Sequence, residues 1–256
     1  MTGTDWLVAT LIGLVSGILS GLFGVGGGIV MTPGFDWFLP VAPIVALESP
    51  LPVILPTSAT GAYTYRQKGE VDARAASWMA PTGFAGAIVG AFGTEIVDTR
   101  ILLLATAALL AYQSVGILRG GAGRQGGIAR PASPAILAGL GLAAGLVSGL
   151  MGIGGGLVMV PLLAGWLGMP LKRALGTSLL TIPALAIPGT VVHAALGNID
   201  WAVVAFATLG AVPGARIGAN LALGTAERTL RLAVGGFMLL VALGYGVTQA
   251  AELLRG

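Results

Sequence analysis

The chain is predicted to be an all-α polytopic membrane protein. It is built as two inverted repeats, each a glycine-broken helical hairpin followed by about three transmembrane helices. Three observations predict this: an apolar, charge-poor composition, a glycine-rich string that recurs at half the chain length, and a one-sided distribution of Lys and Arg.

Hydrophobic residues make up 55% and charged residues 9% of the 256 positions, and the mean hydropathy is +0.93. An ordinary soluble domain carries about 25% charged residues, so this chain has too little polar surface to cover a globule in water. Lipid tolerates such a surface. The 43 glycines, without a collagen period, fit membrane helices that pack backbone against backbone. The excess positive charge is only +3, and it lies between apolar runs as loop charge, which argues against nucleic acid as a partner. With no Cys, a disulfide, a thiolate metal site and a Cys nucleophile are excluded, and a single His excludes a multi-histidine metal site. No Lys or Arg precedes the first apolar run, so that run is expected to be retained rather than removed as a secretory signal.

Residues 17–33 read GILSGLFGVGGGIVMTP and residues 145–161 read GLVSGLMGIGGGLVMVP, an offset of 128. The stretch 69–72 matches 197–200, and Gly86 and Gly90 match Gly214 and Gly218, at the same offset. Between them, Pro50-Leu51 and Thr57-Ser58 echo Pro170-Leu171 and Thr177-Ser178 at an offset of 120. That echo implies an eight-residue shift within the first copy. The chain therefore divides into a first repeat, 1–128, and a second, 129–256, within a single membrane domain.

Apolar runs cover 6–23, 29–45, 51–65, 75–92 and 101–118 in the first half, and 135–151, 157–168, 174–196, 201–223 and 230–251 in the second. A spanning helix needs about 20 residues. The last two runs of each half and 174–196 qualify, 157–168 is too short, and 51–65 is expected to be broken or tilted by Pro52 and Pro56. With an even number of crossings per half, the basic residues hardly favour a side. With an odd number, Arg66, Lys68, Arg74, Arg119, Arg124, Arg130, Lys172, Arg173, Arg228 and Arg231 share one side, and only Arg100 and Arg255 oppose them. The positive-inside rule selects the odd count, which inverts the second half and places both termini outside. A hairpin at each glycine cluster plus three crossings gives an odd count; five crossings per half fit the charges equally.

Gly24, Gly26, Gly27 and Gly28, and in the second copy Gly152, Gly154, Gly155 and Gly156, interrupt apolar runs. Each glycine costs a helix about 1 kcal/mol relative to Ala, so the helix should unwind there. Unwound backbone within lipid is tolerated only where it is buried in protein or lines a wet cavity. The helix that starts after each cluster presents free N–H groups and partial positive charge, which suits an anion. Close packing through small residues is the competing role. A dinucleotide fingerprint fails because position 29 is Ile, a P-loop fails for want of Gly-Lys-Ser/Thr, and no Gly-x-Ser-x-Gly elbow occurs. No acid–base or nucleophile constellation is visible, so the chain is not expected to be an enzyme and needs no cofactor or metal.

The repeat-related hydroxyl pairs Thr57-Ser58 and Thr177-Ser178 either donate to an oxyanion or bond the preceding helical turn. Arg216 stands inside the apolar run 201–223, at a cost of about 2.5–3.5 kcal/mol for a central Arg. It either faces a substrate anion, pairs with Glu48 or Glu95, or snorkels to the surface. Asn220, one turn on, would share its site. His193 either relays protons or sits at the interface. Trp6, Trp37, Tyr63, Tyr65 and Trp201 read as interfacial anchors.

The repeated Ser-Gly-Leu-Phe/Met-Gly-Val/Ile-Gly-Gly-Gly string, followed by Pro33 or Pro161, resembles the sulfite exporter TauE/SafE-like family, also called the toluene-sulfonate uptake permeases. Supporting it are Ala174 to Leu179, the stretch 197–201, and Gly210 to Gly218 with Arg216. The resemblance implies a multi-pass permease of the bacterial inner membrane for sulfite, sulfonates or related sulfur anions. The resulting expectation is a transporter moving a small anion by alternating access, one half rocking against the other. The glycine amides and the Thr-Ser hydroxyls would bind oxygens and Arg216 would supply the counter-charge. An anion channel and a non-transporting scaffold subunit are the rivals. The lipid bilayer and a small anion are the expected partners, with a coupling ion and a homo-oligomer left open.

Overall fold

The computed structural model describes residues 3–93, 108, 111–112, 114–115, 118, 132–151 and 155–253. The expected run 101–118 falls largely outside these residues, as do Gly152, Gly154 and Glu95. All regular structure among the described residues is helical. The elements are α1 (Gly3–Phe23), α2 (Gly28–Phe38), α3 (Pro43–Glu48), α4 (Pro50–Gln67), α5 (Ala73–Gly93), α6 (Pro134–Met151), α7 (Gly156–Val160), α8 (Leu171–Ala195), α9 (Trp201–Gly224) and α10 (Glu227–Leu253). A π-helical turn, Pro161–Trp166, continues α7, because Pro161 has no N–H to give to the preceding turn.

Among the described residues, four helices, α1, α5, α8 and α9, are long and apolar enough to cross a membrane. They turn large apolar side chains outward, among them Leu7, Leu11, Val89, Phe92, Val191 and Leu209. A surface of that kind belongs in lipid. The run 51–65 is not broken by its prolines. Pro50 and Pro52 sit in the first turn of α4, where amides have no intrahelical partner anyway, and Pro56 is carried inside a continuous helix. Asp72 and Asp200 start α5 and α9: Asp72 Oδ1 accepts from Ala75 N at 2.9 Å, and Asp200 Oδ1 from Ala202 N at 2.9 Å and Val203 N at 3.1 Å.

The helices pair across the chain. α1 runs parallel to α9, with Gly13, Gly17 and Gly21 seated on the backbone of Ala207, Ala211 and Ala215. α5 runs parallel to α6, with Gly141, Gly145 and Gly149 seated on Met79, Gly83 and Ala87. The two sets are related by a displacement of 128 residues. α4 and α8 cross antiparallel, Gly61 meeting Leu179 and Gly189 meeting Leu51, again 128 apart. Asp72 N donates to Thr177 Oγ1 at 2.9 Å, and Asp200 N donates to Ser49 Oγ at 3.1 Å. In contacts, therefore, Thr177 corresponds to Ser49, not to Thr57, and the 120-residue echo in the sequence does not carry over into the packing.

Charges sort by end. The Asp72–Thr177 bond and the bond from Lys172 Nζ to Leu223 O, at 2.7 Å, bring the end of α4, the starts of α5 and α8 and the end of α9 together. Arg66, Lys68, Arg74, Lys172 and Arg173 lie on or next to these segments, and Arg228 and Arg231 lie at the start of α10, directly after α9. The opposite end carries the start of α1 and of α9, with Asp5, Asp36, Glu48 and Asp200. Arg100, Arg119, Arg124, Arg130 and Arg255 lie outside the described residues.

A Cβ on Gly17 would collide with the main chain of Ala211, whereas one on Gly139 of α6 meets nothing within 4 Å. Gly17→Leu is expected to destabilise the detergent-solubilised protein by at least the roughly 1–3 kcal/mol of an overpacked core. Gly139→Leu is expected to melt like wild type. Thermal unfolding followed by size-exclusion chromatography measures both.

Candidate functional site

The first glycine cluster is a chain reversal. Gly24 N still donates to Ser20 O at 2.8 Å, completing α1. Gly24, Gly26 and Gly27 then adopt φ of +70°, +85° and +90°, a left-handed region that side chains disfavour. Gly27 O accepts from Val30 N and Met31 N, both at 3.2 Å, and α2 begins. The second break repeats the end of this pattern. Gly155 has φ +70°, and its carbonyl accepts from Val158 N at 3.3 Å and Met159 N at 3.2 Å. Neither helix start has a side-chain cap. The amides of the first turn of α2, at Gly28 and Ile29, have no intrahelical acceptor.

The two breaks meet. Gly156 lies against the main chain of Val25, and Ile182 of α8 touches both Gly26 and Gly156. Contrary to the expected cavity, the glycines are closely covered. A methyl group on Gly26 would stand 3.3 Å from Ile54 Cγ2 and from Ile182 Cγ2, and one on Gly24 3.1 Å from Leu175 Cα and Val160 Cγ2. The absence of side chains is what lets α4 and α8 close on the reversal. A cleft of about 580 Å³ lies elsewhere, lined by Pro40, Val41, Val45, Gly197, Asp200 and Trp201 among others. None of the residues expected at the site lines it.

Of the hydroxyl pairs, only the second reaches the breaks. Ser178 Oγ donates to Gly24 O at 2.8 Å, and Thr177 receives Asp72 N. Thr57 and Ser58 are fully buried but bond Val53 O and Ile54 O of their own helix, each at 2.6 Å. That is the local role available to any helical hydroxyl. Arg216 and Asn220 are exposed on α9 and do not approach the breaks. Gly210, Gly214 and Gly218 face α1, and positions two residues on point the other way. Arg216 lies within about three turns of the basic end of α9, where its side chain can reach the membrane surface. Tyr65 is no interfacial anchor; it is fully buried and donates to Gly21 O at 2.9 Å.

Two groups escaped the sequence reading. Ser16 and Ser20, fully buried on α1 beside Gly27, have hydroxyls with no hydrogen-bond partner among the described residues. The signal was present, since Ser20 and Ser148 open the repeated string and Ser16 lies one turn earlier on the same face. The other is a pair at the acidic end. His193 Nε2 lies 3.2 Å from Glu48 Oε2, and His193 Nδ1 lies 3.4 Å from Asn198 Nδ2.

Apolar helices wrapped around a glycine-built reversal define a polytopic membrane protein of the transporter class. Residues 9–245 match the family described as sulfite exporter TauE/SafE, and the chain belongs to that family. It is 27% identical to the probable membrane transporter protein YunE of Bacillus subtilis, over 85% of this chain and 87% of that one. It is 28% identical to a probable membrane transporter protein of Xylella fastidiosa, over 87% of each chain, and 25% identical to YdhB of B. subtilis, over 84% and 89%. No solved structure matches.

Ser178→Ala strands the buried Gly24 carbonyl and is expected to cost about 1–3 kcal/mol. Ser58→Ala is expected to cost less, because Ile54 O keeps its helical donor. Thermal melts of the two variants in detergent decide the order.

Proposed function

We propose that the chain is a permease of the bacterial inner membrane. It carries sulfite, an organosulfonate or a related sulfur oxyanion by alternating access, and binds the anion where the two glycine reversals meet. The observation that carries the reading is the pair of orphan hydroxyls, Ser16 and Ser20, buried beside the open amides at the start of α2. A buried hydroxyl left without a partner costs stability, and an oxyanion accepting from both hydroxyls and from the Gly28 and Ile29 amides would satisfy all four donors. Gly24, Gly26 and Gly27, with Gly155 and Gly156 opposite, keep the main chain bare enough for such contact. Ser178 holds the first reversal in place through Gly24 O.

The inverted arrangement is supported by contacts recurring at 128 residues and by equivalent helices, α4 and α8, that run antiparallel. With the basic end facing the cytoplasm, α1 starts outside. α10, 27 residues long and so about 40 Å, is able to return there from the basic end. The moving bodies are not the sequence halves. The glycine-seated pairs α1–α9 and α5–α6 each join one helix from either half and should stay locked. In the rocking motion, α1–α9 with α2 swings against α5–α6 with α7, over the α4–α8 crossing. The described conformation is closed over the site.

Purified protein in proteoliposomes is expected to take up at least one of sulfite, thiosulfate, sulfate and methanesulfonate saturably and with counterflow. Steady conductance would make the chain a channel. Ser16→Ala/Ser20→Ala is expected to melt at or above the wild-type temperature while weakening binding at least about tenfold, or 1.4 kcal/mol. Unchanged affinity in that variant, or no binding of any of the four anions, refutes the site.

A further inference from the structure

The frame repeats its contacts at 128 residues, but at one place the two copies differ in chemistry. In one copy Tyr65 packs on Gly176 and donates to a main-chain carbonyl; both side chains are neutral. Displaced by 128, the same contact is His193 on Glu48. Glu48 ends α3, just before α4, and lies outside the four long apolar helices. Its carboxyl is buried, and Oε2 has no hydrogen-bond partner beyond the imidazole contact. Burial pushes its pKa up to about 7. The 580 Å³ cleft begins one turn away at Val45 and continues through Gly197 and Asp200, and the His193 ring is partly open to solvent.

Resting on the transporter reading above, we propose that Glu48 and His193 form the proton-binding site that couples transport to the pH gradient. The contact between Oε2 and Nε2 holds together α3, which leads back to the first glycine reversal through α2, and the last turn of α8, the helix whose first half carries Ser178 and Ile182. With Glu48 ionised and His193 neutral, the pair buries one negative charge. An added proton, on the carboxylate or on the ring, removes the net charge and lets α3 close on α8. Loss of the proton leaves a charge that burial penalises, so α3 draws toward the water of the cleft. The other charged groups on the surrounding elements do not supply that proton. Asp36 of α2 is exposed, and Asp200 caps α9. Asp5 lies in the first turn of α1. Arg66 of α4 and Lys172 and Arg173 of α8 lie about 25–30 Å away along their helices.

The test uses the full chain in proteoliposomes with labelled methanesulfonate or thiosulfate, whose charges do not change between mildly acidic and mildly alkaline pH. For one coupled proton, each pH unit across the membrane multiplies accumulation about tenfold. Wild type is expected to show that drive. Glu48→Gln and His193→Gln are expected to lose it while keeping counterflow. Infrared spectra of the substrate-free protein read the pair directly: a carboxyl C=O band or an imidazolium band that titrates near neutral pH in wild type and is gone in Glu48→Gln. Accumulation that still follows the pH gradient in both variants overturns the proposal. So does a wild-type spectrum in which neither band titrates. If wild type moves neither anion, the permease reading falls and the infrared titration alone decides whether the pair is a proton site. If Glu48→Gln does not fold, His193→Gln decides the transport arm and the wild-type titration decides the infrared arm.

Discussion

The structure depends on main chain meeting main chain within lipid. Helices in a bilayer gain nothing from hiding apolar surface from one another, because lipid tails are as apolar as leucine; close packing and internal polar satisfaction hold them together. Here that packing is set by glycines at every fourth position. Gly13, Gly17 and Gly21 bring α1 onto α9, and Gly141, Gly145 and Gly149 bring α6 onto α5. Each seam joins the two halves of the chain, so the first helix of each half packs most closely on a helix of the other. The glycine content that first suggested a membrane protein thus does two jobs, close-packing the seams and unwinding the reversals.

Composition disclosed a helical membrane protein because it is a property of long stretches. The spans at 75–92, 174–196 and 201–223 and the break at the first cluster follow from patterns that no single side chain decides, whereas 6–23, not counted among the spanning runs, is long enough because its helix begins at Gly3. Site details were less legible, because they turn on which way one residue points. Thr57-Ser58 and Thr177-Ser178 are the same dipeptide, yet one bonds its own helix and the other holds Gly24 and Asp72. Arg216 looked like a counter-charge from its place in an apolar run. The helical period sends it outward, because Gly214 and Gly218 take the inner face. Ser16 and Ser20 drew no reading, since a sequence does not show that a hydroxyl lacks a partner. Glu48 and His193 stand 145 positions apart by number, and no local pattern joins them.

A duplicated frame separates what packing requires from what it does not. Contacts present in both copies, such as the glycine seams and the aspartate caps received by Ser49 and Thr177, build the scaffold. Positions where the copies diverge are free of that duty. Tyr65 answers to His193, Gly176 to Glu48, and Ile88 to Arg216. All three divergences place a charge or an imidazole where the other copy is neutral. The scaffold survives without them in one copy, so its packing does not explain their presence in the other.

The hairpins diverge too, in a way that bears on movement. After the first reversal α2 continues for 11 residues, while after the second α7 gives way after five to a π-helical turn. π-helical turns are rare and short, and the start of α7 packs against Val25, Ile182 and Leu185. The first hairpin, by contrast, is tied by Ser178 to Gly24 and by Tyr65 to Gly21. Both starts are covered, since Gly156 to Val160 are all buried, so exposing either break to water means moving packed side chains of α4 and α8 off the glycines.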